Sequence, residues 1–111
     1  MDTLDTLRDT IRAVFAEWEK LPRIPSNWQI VSVQDTQHDR YTLQNVTFTK
    51  DRYDTSLLVY LEIRGGKIWI LTDNTEDGIA LDLVTHGVSK DQIVLGFYPS
   101  CLRAVGEFAI A

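Results

Sequence analysis

The chain has 111 residues, of which 44% are apolar and 24% charged, with sixteen acids against eleven bases and a formal charge of −5. That length suits one hydrophobic core, and the balance is that of a globular domain, which excludes a disordered tail and a disulfide-dense miniprotein. The acid excess and the scattered bases disfavour tight direct nucleic-acid binding, which draws on clustered Lys and Arg, and suit a basic protein partner instead.

Residues from about Thr3 to Leu21 read as an amphipathic helix. Leu4, Leu7, Ile11, Val14, Trp18 and Leu21 recur at spacings of three and four, which places them on one stripe. Asp2 or Thr3 can cap its start, Pro22 stops it, and Pro22, Pro25, Ser26 and Asn27 mark a turn. From Trp28 onward the period shifts mostly to two. Trp28 to Gln34 and Arg40 to Thr49 are expected as strands joined by Asp35-Thr36-Gln37-His38-Asp39. Apolar positions in the second strand move from odd (Tyr41, Leu43) to even (Val46, Phe48), which predicts a bulge near Asn45.

Gly65-Gly66 between alternating apolar runs predicts a two-residue hairpin turn with positive φ. The register then pairs Ile63 with Ile68, Leu61 with Ile70 and Val59 with Thr72 on one face. Glu62 meets Trp69 and Tyr60 meets Leu71 on the other. Asp73-Asn74-Thr75 ends the hairpin and caps a second helix, roughly Glu76 to His86, with Ile79, Ala80, Leu83 and Val84 inward and Gly87 as a left-handed stop. Ser89-Lys90-Asp91-Gln92 has the spacing of a capping box. Ile93 to Phe97 reads as a buried strand, and Pro99 to Ala111 as a short turn or helix with a tail. The expected fold is α+β: one domain over 1–111, a mostly antiparallel sheet, an N-terminal helix and a second helix after the central hairpin.

No constellation demands catalysis. Asp73, Glu76 and Asp77 could suggest a metal site, but acids at a helix start complement its dipole and cap free N–H groups. Asp54, Glu62 and Arg64 echo a nuclease pattern in which Arg64 replaces the usual lysine. A metal-dependent nuclease-like enzyme is therefore one alternative reading, and a direct DNA-binding regulator is another. His38, His86 and Cys101 lie apart, too few for a closed zinc site, and Gly65-Gly66-Lys67 leads into a strand instead of the helix of a phosphate loop. The expectation is no catalytic, cofactor-binding or metal-binding residue, and no cofactor. A single cysteine, the lack of a signal-peptide progression and apolar runs of about five residues predict a cytoplasmic chain with no membrane segment. Both hairpin faces carry large apolar groups, so Tyr60, Glu62, Trp69 and Leu71 are expected to contact a partner protein or a second copy of the chain.

Gly66-Lys67-Ile68-Trp69-Ile70, Asp73, Thr75-Glu76 and Gly78-Ile79-Ala80 together resemble the XisI family. The resemblance continues through Leu83-Val84, Gly87-Val88, Lys90, Ile93-Val94-Leu95-Gly96-Phe97, Arg103 and Phe108-Ala109, and takes in the N-terminal helix. Tyr60-Leu61-Glu62 stands where the family is expected to have His-Leu-Asp, Phe48 where it has Trp, and Tyr98-Pro99 where it has His-Pro. The family is named for control of fdxN-element excision in heterocyst-forming cyanobacteria. The resemblance implies a non-enzymatic accessory factor acting with a XisH-like protein to control site-specific excision by a separate recombinase.

Overall fold

In the computed structural model, which describes residues 3–111, helix α1 (Thr3–Glu19) precedes four antiparallel strands. These are β1 (Trp28–Asp35), β2 (Arg40–Thr49), β3 (Arg52–Arg64) and β4 (Lys67–Asp73). A short helix α2 (Ile79–Thr85) and a single 3-10 turn at Lys90–Gln92 lead into β5 (Ile93–Leu95), followed by α3 (Ser100–Arg103). The sheet runs in the order β1-β2-β3-β4-β5, and only the β4–β5 pair is parallel. This is the expected α+β class. Asp2, one of the two anticipated caps, lies outside the described residues.

The α1 stripe does what its spacing requires. Leu7, Ile11 and Val14 are fully buried, with Leu4 and Trp18 packed at the margin. Phe15, beside Val14 and outside the strict stripe, is also fully buried, whereas Leu21 lies beyond the helix and is exposed. The partners across the layer are Ile30, Tyr41, Leu43, Val59, Leu61, Ile63, Ile68 and Ile70 from one sheet face, with Ile79 and Leu83 of α2 beside α1. Both longer helices therefore share one face of the sheet. Arg8 pins α1 down by a forked contact to Asp39, with Nε and Nη2 at 2.8 and 3.1 Å, and the Tyr41 hydroxyl donates to the same carboxylate at 3.0 Å. Trp18 Nε1 donates to Asp82 of α2 at 2.9 Å.

The turns follow local chemistry. Gly65 and Gly66 take φ of 57° and 76°, as a tight hairpin turn needs. The β2–β3 turn reaches the same left-handed region with Lys50 and Asp51, at 49° and 67°, and no glycine marks it. Helix α2 starts at Ile79, three residues later than expected, because Asp73 and Thr75 organise residues 73–79 as a loop. Asp73 accepts from the backbone N–H of Thr75 at 3.0 Å and of Ile79 at 2.8 Å, and the Thr75 hydroxyl accepts from Gly78 N–H. Gly87 closes α2 with φ of 103°, while its N–H bonds Val84 and that of Val88 bonds Leu83. That bond pair is a Schellman stop.

Two bulges alter the expected register. Strand β2 is continuous, and its even residues Val46 and Phe48 simply face away from the helices. The extra residue is on β3, where Leu58 is inserted between Leu57, opposite Gln44, and Val59, opposite Leu43. Leu58 and Val59 are both buried, so the insertion adds a side chain to the core. On β4, Leu61 pairs with Ile70 as expected, but Tyr60 pairs with Thr72 and Val59 with Asp73. Leu71 is thus the extra residue there, and the expected Tyr60–Leu71 and Val59–Thr72 pairs do not form.

Candidate functional site: the open face of the sheet

The register places Val33 of β1, Val46 and Phe48 of β2, Tyr53, Leu57, Tyr60 and Glu62 of β3, and Trp69 of β4 on the face away from α1 and α2. Val33, Phe48, Tyr53 and Leu57 are exposed, at 53, 42, 70 and 37%. Phe48 and Tyr53 also touch, with ring centroids 4.9 Å apart. Thr42, Gln44 and Thr55 lie among them on the same face, so the face mixes exposed apolar and polar side chains across three neighbouring strands, a composition that suits an interaction surface.

The four residues anticipated from the sequence lie together at the β4 side of this face. Glu62 is the electrostatic centre, with a side chain only 16% exposed. Its Oε2 accepts from Tyr60 Oη at 3.0 Å and from Arg64 Nη2 at 3.1 Å, and Arg40 Nε stands 3.8 Å from Oε1. Burial pushes this carboxyl up, but the hydrogen bonds from Arg64 and Tyr60 and the nearby guanidinium charges outweigh that, and it settles below its ordinary value. Burial and the hydrogen bond to Glu62 raise the Tyr60 phenol.

Trp69 lies opposite Glu62 and against two guanidiniums, Arg64 at 5.0 Å and Arg103 at 5.3 Å from the ring centroid. Arg103, on α3, also donates to the carbonyls of Tyr98 at 2.9 Å and Ile110 at 2.7 Å. The C-terminal segment is thereby fastened beside Trp69, and its Ala109 bridges Val94. Leu71 and Trp69 close over Gly96, where a Cβ would come within 2.9 Å of Leu71 Cδ2 and 3.3 Å of Trp69 Cε3. With the Ile70 carbonyl oxygen at 3.1 Å as well, any larger residue there would have to displace Leu71 and crowd Trp69.

Three contributors escaped the sequence patterns. Arg40 reaches Glu62 through cross-strand pairing, and Arg103 and Gly96 reach Trp69 and Leu71 through the parallel β5 and the segment after it. No local period connects residues so far apart in the chain. Gly96 and Arg103 stood out only as parts of the family resemblance.

The two acids of the nuclease-like echo do not converge, although Arg64 does reach Glu62. Asp54 sits eight residues before Glu62 on β3, roughly 26 Å along an extended strand. The Leu58 bulge leaves the two on opposite faces, and Asp54 pairs with Arg52 at 3.1 Å. Asp73 is committed to the backbone N–H groups of Thr75 and Ile79 in its loop. His38 contacts Asp35 and His86 contacts Glu17, at 2.8 and 3.0 Å. Cys101 is an exposed free thiol. Among the described residues no group of three His, Cys, Asp or Glu side chains is placed to hold a metal ion, and no helix is long and apolar enough to cross a membrane.

A helix pair on one side of a mixed, mostly antiparallel sheet, with the other side open, defines an α+β domain shared with two solved proteins. The crystal structure of the fdxN element excision controlling factor XisI from Anabaena variabilis superposes with a TM-score of 0.79 at 30% identity, covering 99% of this chain and 100% of that one. A XisI-like protein from Anabaena variabilis superposes at 0.85 with 21% identity, over 97% and 99% of the two chains, which shows the common fold. The sequence matches the XisI protein family over residues 1–110, and no curated protein matches it. The chain belongs to the XisI family.

Proposed function

We propose that the chain is a non-enzymatic controlling factor of the excision type that its solved relative is named for. In this reading it binds a XisH-like protein through the open sheet face and thereby governs a separate recombinase, which supplies the DNA chemistry. The observation that carries the reading is the use made of Glu62. Its carboxylate is committed to Tyr60, Arg64 and Arg40 on the face that also exposes Val33 and Leu57, and the acid nearest to it in the nuclease-like pattern is on the other face. An acid held this way fixes the shape and charge of a contact surface. A metal-dependent catalyst needs acids converging on one point.

Charge supports a protein partner as well. Arg40, Arg64 and Arg103 surround Glu62 and Trp69, yet the chain as a whole is acidic, which opposes a long approach to duplex DNA. The experiment is co-expression of the chain with the XisH-like protein of the same organism. The two should co-purify as a complex that withstands moderate salt, because its centre is apolar. Recovery of each protein alone would remove the proposed partner.

A further inference from the structure

Three hollows run together along the solvent side of α2. The first, of about 210 Å³, lies between Trp18, Leu21 and Asp82. The second, also about 210 Å³, passes from Trp18 by Glu76 and Asp77 to Leu81. The third, of about 330 Å³, opens beyond Leu81 towards Val84, Phe97 and Phe108. Shared walls at Trp18 and Asp82, and again at Asp77 and Leu81, make them one trough.

Its middle is acidic, with Glu76, Asp77 and Asp82 around Leu81, and its far end is apolar, with Val84, Phe97 and Phe108. Leu81 is 58% exposed and Phe97 41%. The trough carries the carboxylates of Glu17, Asp73, Glu76, Asp77, Asp82 and Glu107 against one ammonium, Lys90, which is already paired with Glu107 at 2.8 Å. Glu17, Asp73 and Asp82 have partners within the chain, at His86, Ile79 and Trp18. Glu76 and Asp77 have none among the described residues. A surface of this kind takes a segment that is both apolar and cationic, because such a segment covers Leu81 and neutralises the two unmatched acids.

The chain carries such a segment itself. Lys20-Leu21-Pro22-Arg23-Ile24 follows α1, with Ile24 79% exposed and neither Lys20 nor Arg23 in an ion pair among the described residues. Pro22 restricts the backbone within it, which lowers the entropy lost on docking. Leu21 lines the near end of the trough, so the segment begins beside it, and Arg23 further along borders the hollow next to Phe48 and Tyr53. Adjacent patches of complementary character suit a two-fold contact, in which each copy gives its segment to the other and the assembly closes at two.

We propose that the occupant of the α2 trough is a second copy of this chain. Residues 20–24 of each protomer lie in the trough of the other, with Lys20 and Arg23 against Glu76 and Asp77 and Ile24 against Leu81. Arg23 also borders the hollow beside Val46, Phe48 and Tyr53, so the dimer contact reaches that end of the open sheet face and leaves the Tyr60, Glu62 and Trp69 end free.

Sedimentation equilibrium of the full chain at micromolar concentrations tests this. The expected species has twice the 12.7 kDa of the single chain and weakens as salt screens the charged groups. Arg23→Glu and Ile24→Ser should each raise the dissociation constant by about tenfold or more, the loss expected of an interface anchor. Both side chains belong to an exposed segment, so the melting temperature should hold. Joining Arg23→Glu with Asp77→Lys should recover association, since the reversed charges again attract. A wild-type chain that sediments as a monomer throughout would overturn the proposal. So would a dimer that neither substitution weakens.

Discussion

At the scale of single residues, several of the structure's acids are defined by what they hold. Asp39 accepts both nitrogens of Arg8 and the Tyr41 hydroxyl, and the Arg8 hydrogen bond above all keeps its carboxyl below the ordinary aspartate value, against a smaller effect of burial. Burial and the same contact push the Tyr41 phenol up to about 12. A depressed carboxyl stabilises the fold fully above its unfolded value, near 3.9, and loses that contribution as pH falls through the lower folded value. Melting temperatures should therefore drop below about pH 4 in the wild type. Asp39→Asn should already be less stable by about 1.5–3 kcal/mol at neutral pH, with a flatter acid limb. An equal acid dependence in both proteins would show that the pair does not anchor α1. Glu62 predicts function instead of stability: with magnesium or manganese the purified chain should leave DNA intact. Metal-dependent cleavage that disappears in a folded Glu62→Ala variant would make it an enzyme.

At the scale of elements, the β3–β4 hairpin rests on its two glycines. Replacing both Gly65 and Gly66 by valine puts β-branched side chains at φ of 57° and 76° and should cost on the order of 1–3 kcal/mol, read as a lowered denaturant midpoint. An unchanged midpoint would mean that the turn relaxes at no cost. This hairpin was legible because Gly-Gly between alternating strands has one good solution, and three of its expected pairs form: Ile63–Ile68, Glu62–Trp69 and Leu61–Ile70. Beyond them legibility ended at Leu71, because a bulge adds a residue without changing the composition. The odd-to-even shift in β2 misled for a related reason. It reflects two apolar faces on one regular strand, while the actual insertion is Leu58 on the neighbouring strand. The Lys50–Asp51 turn carried only a weak signal, since Asp tolerates positive φ but Lys does not favour it and no glycine marks the turn. The late start of α2 came from Asp73, whose side chain substitutes for a first helical turn.

At the scale of the whole molecule, the two faces of the sheet divide the work. One face is sealed by α1 and α2 into the core. The other leaves Val33, Phe48, Tyr53 and Leu57 in water on the same side as the Tyr60–Glu62–Trp69 cluster. Tyr60, Glu62 and Trp69 could be gathered from strand parity and the turn register, because residues two apart share a face, whereas Leu71 sits in the β4 bulge and does not follow parity. The arginines that finish the cluster could not, since they arrive from β2 and from beyond β5. The central claim is that this face binds the partner. Its most direct test is a calorimetric titration of the XisH-like protein into the wild-type chain and into the double variant Val33→Glu, Leu57→Glu, which alters exposed positions only. The wild type should bind, and the variant should bind at least about tenfold more weakly with an unchanged melting temperature, as loss of an interface core requires. Equal affinity for both chains would contradict the claim and move the interface off the open face of the sheet.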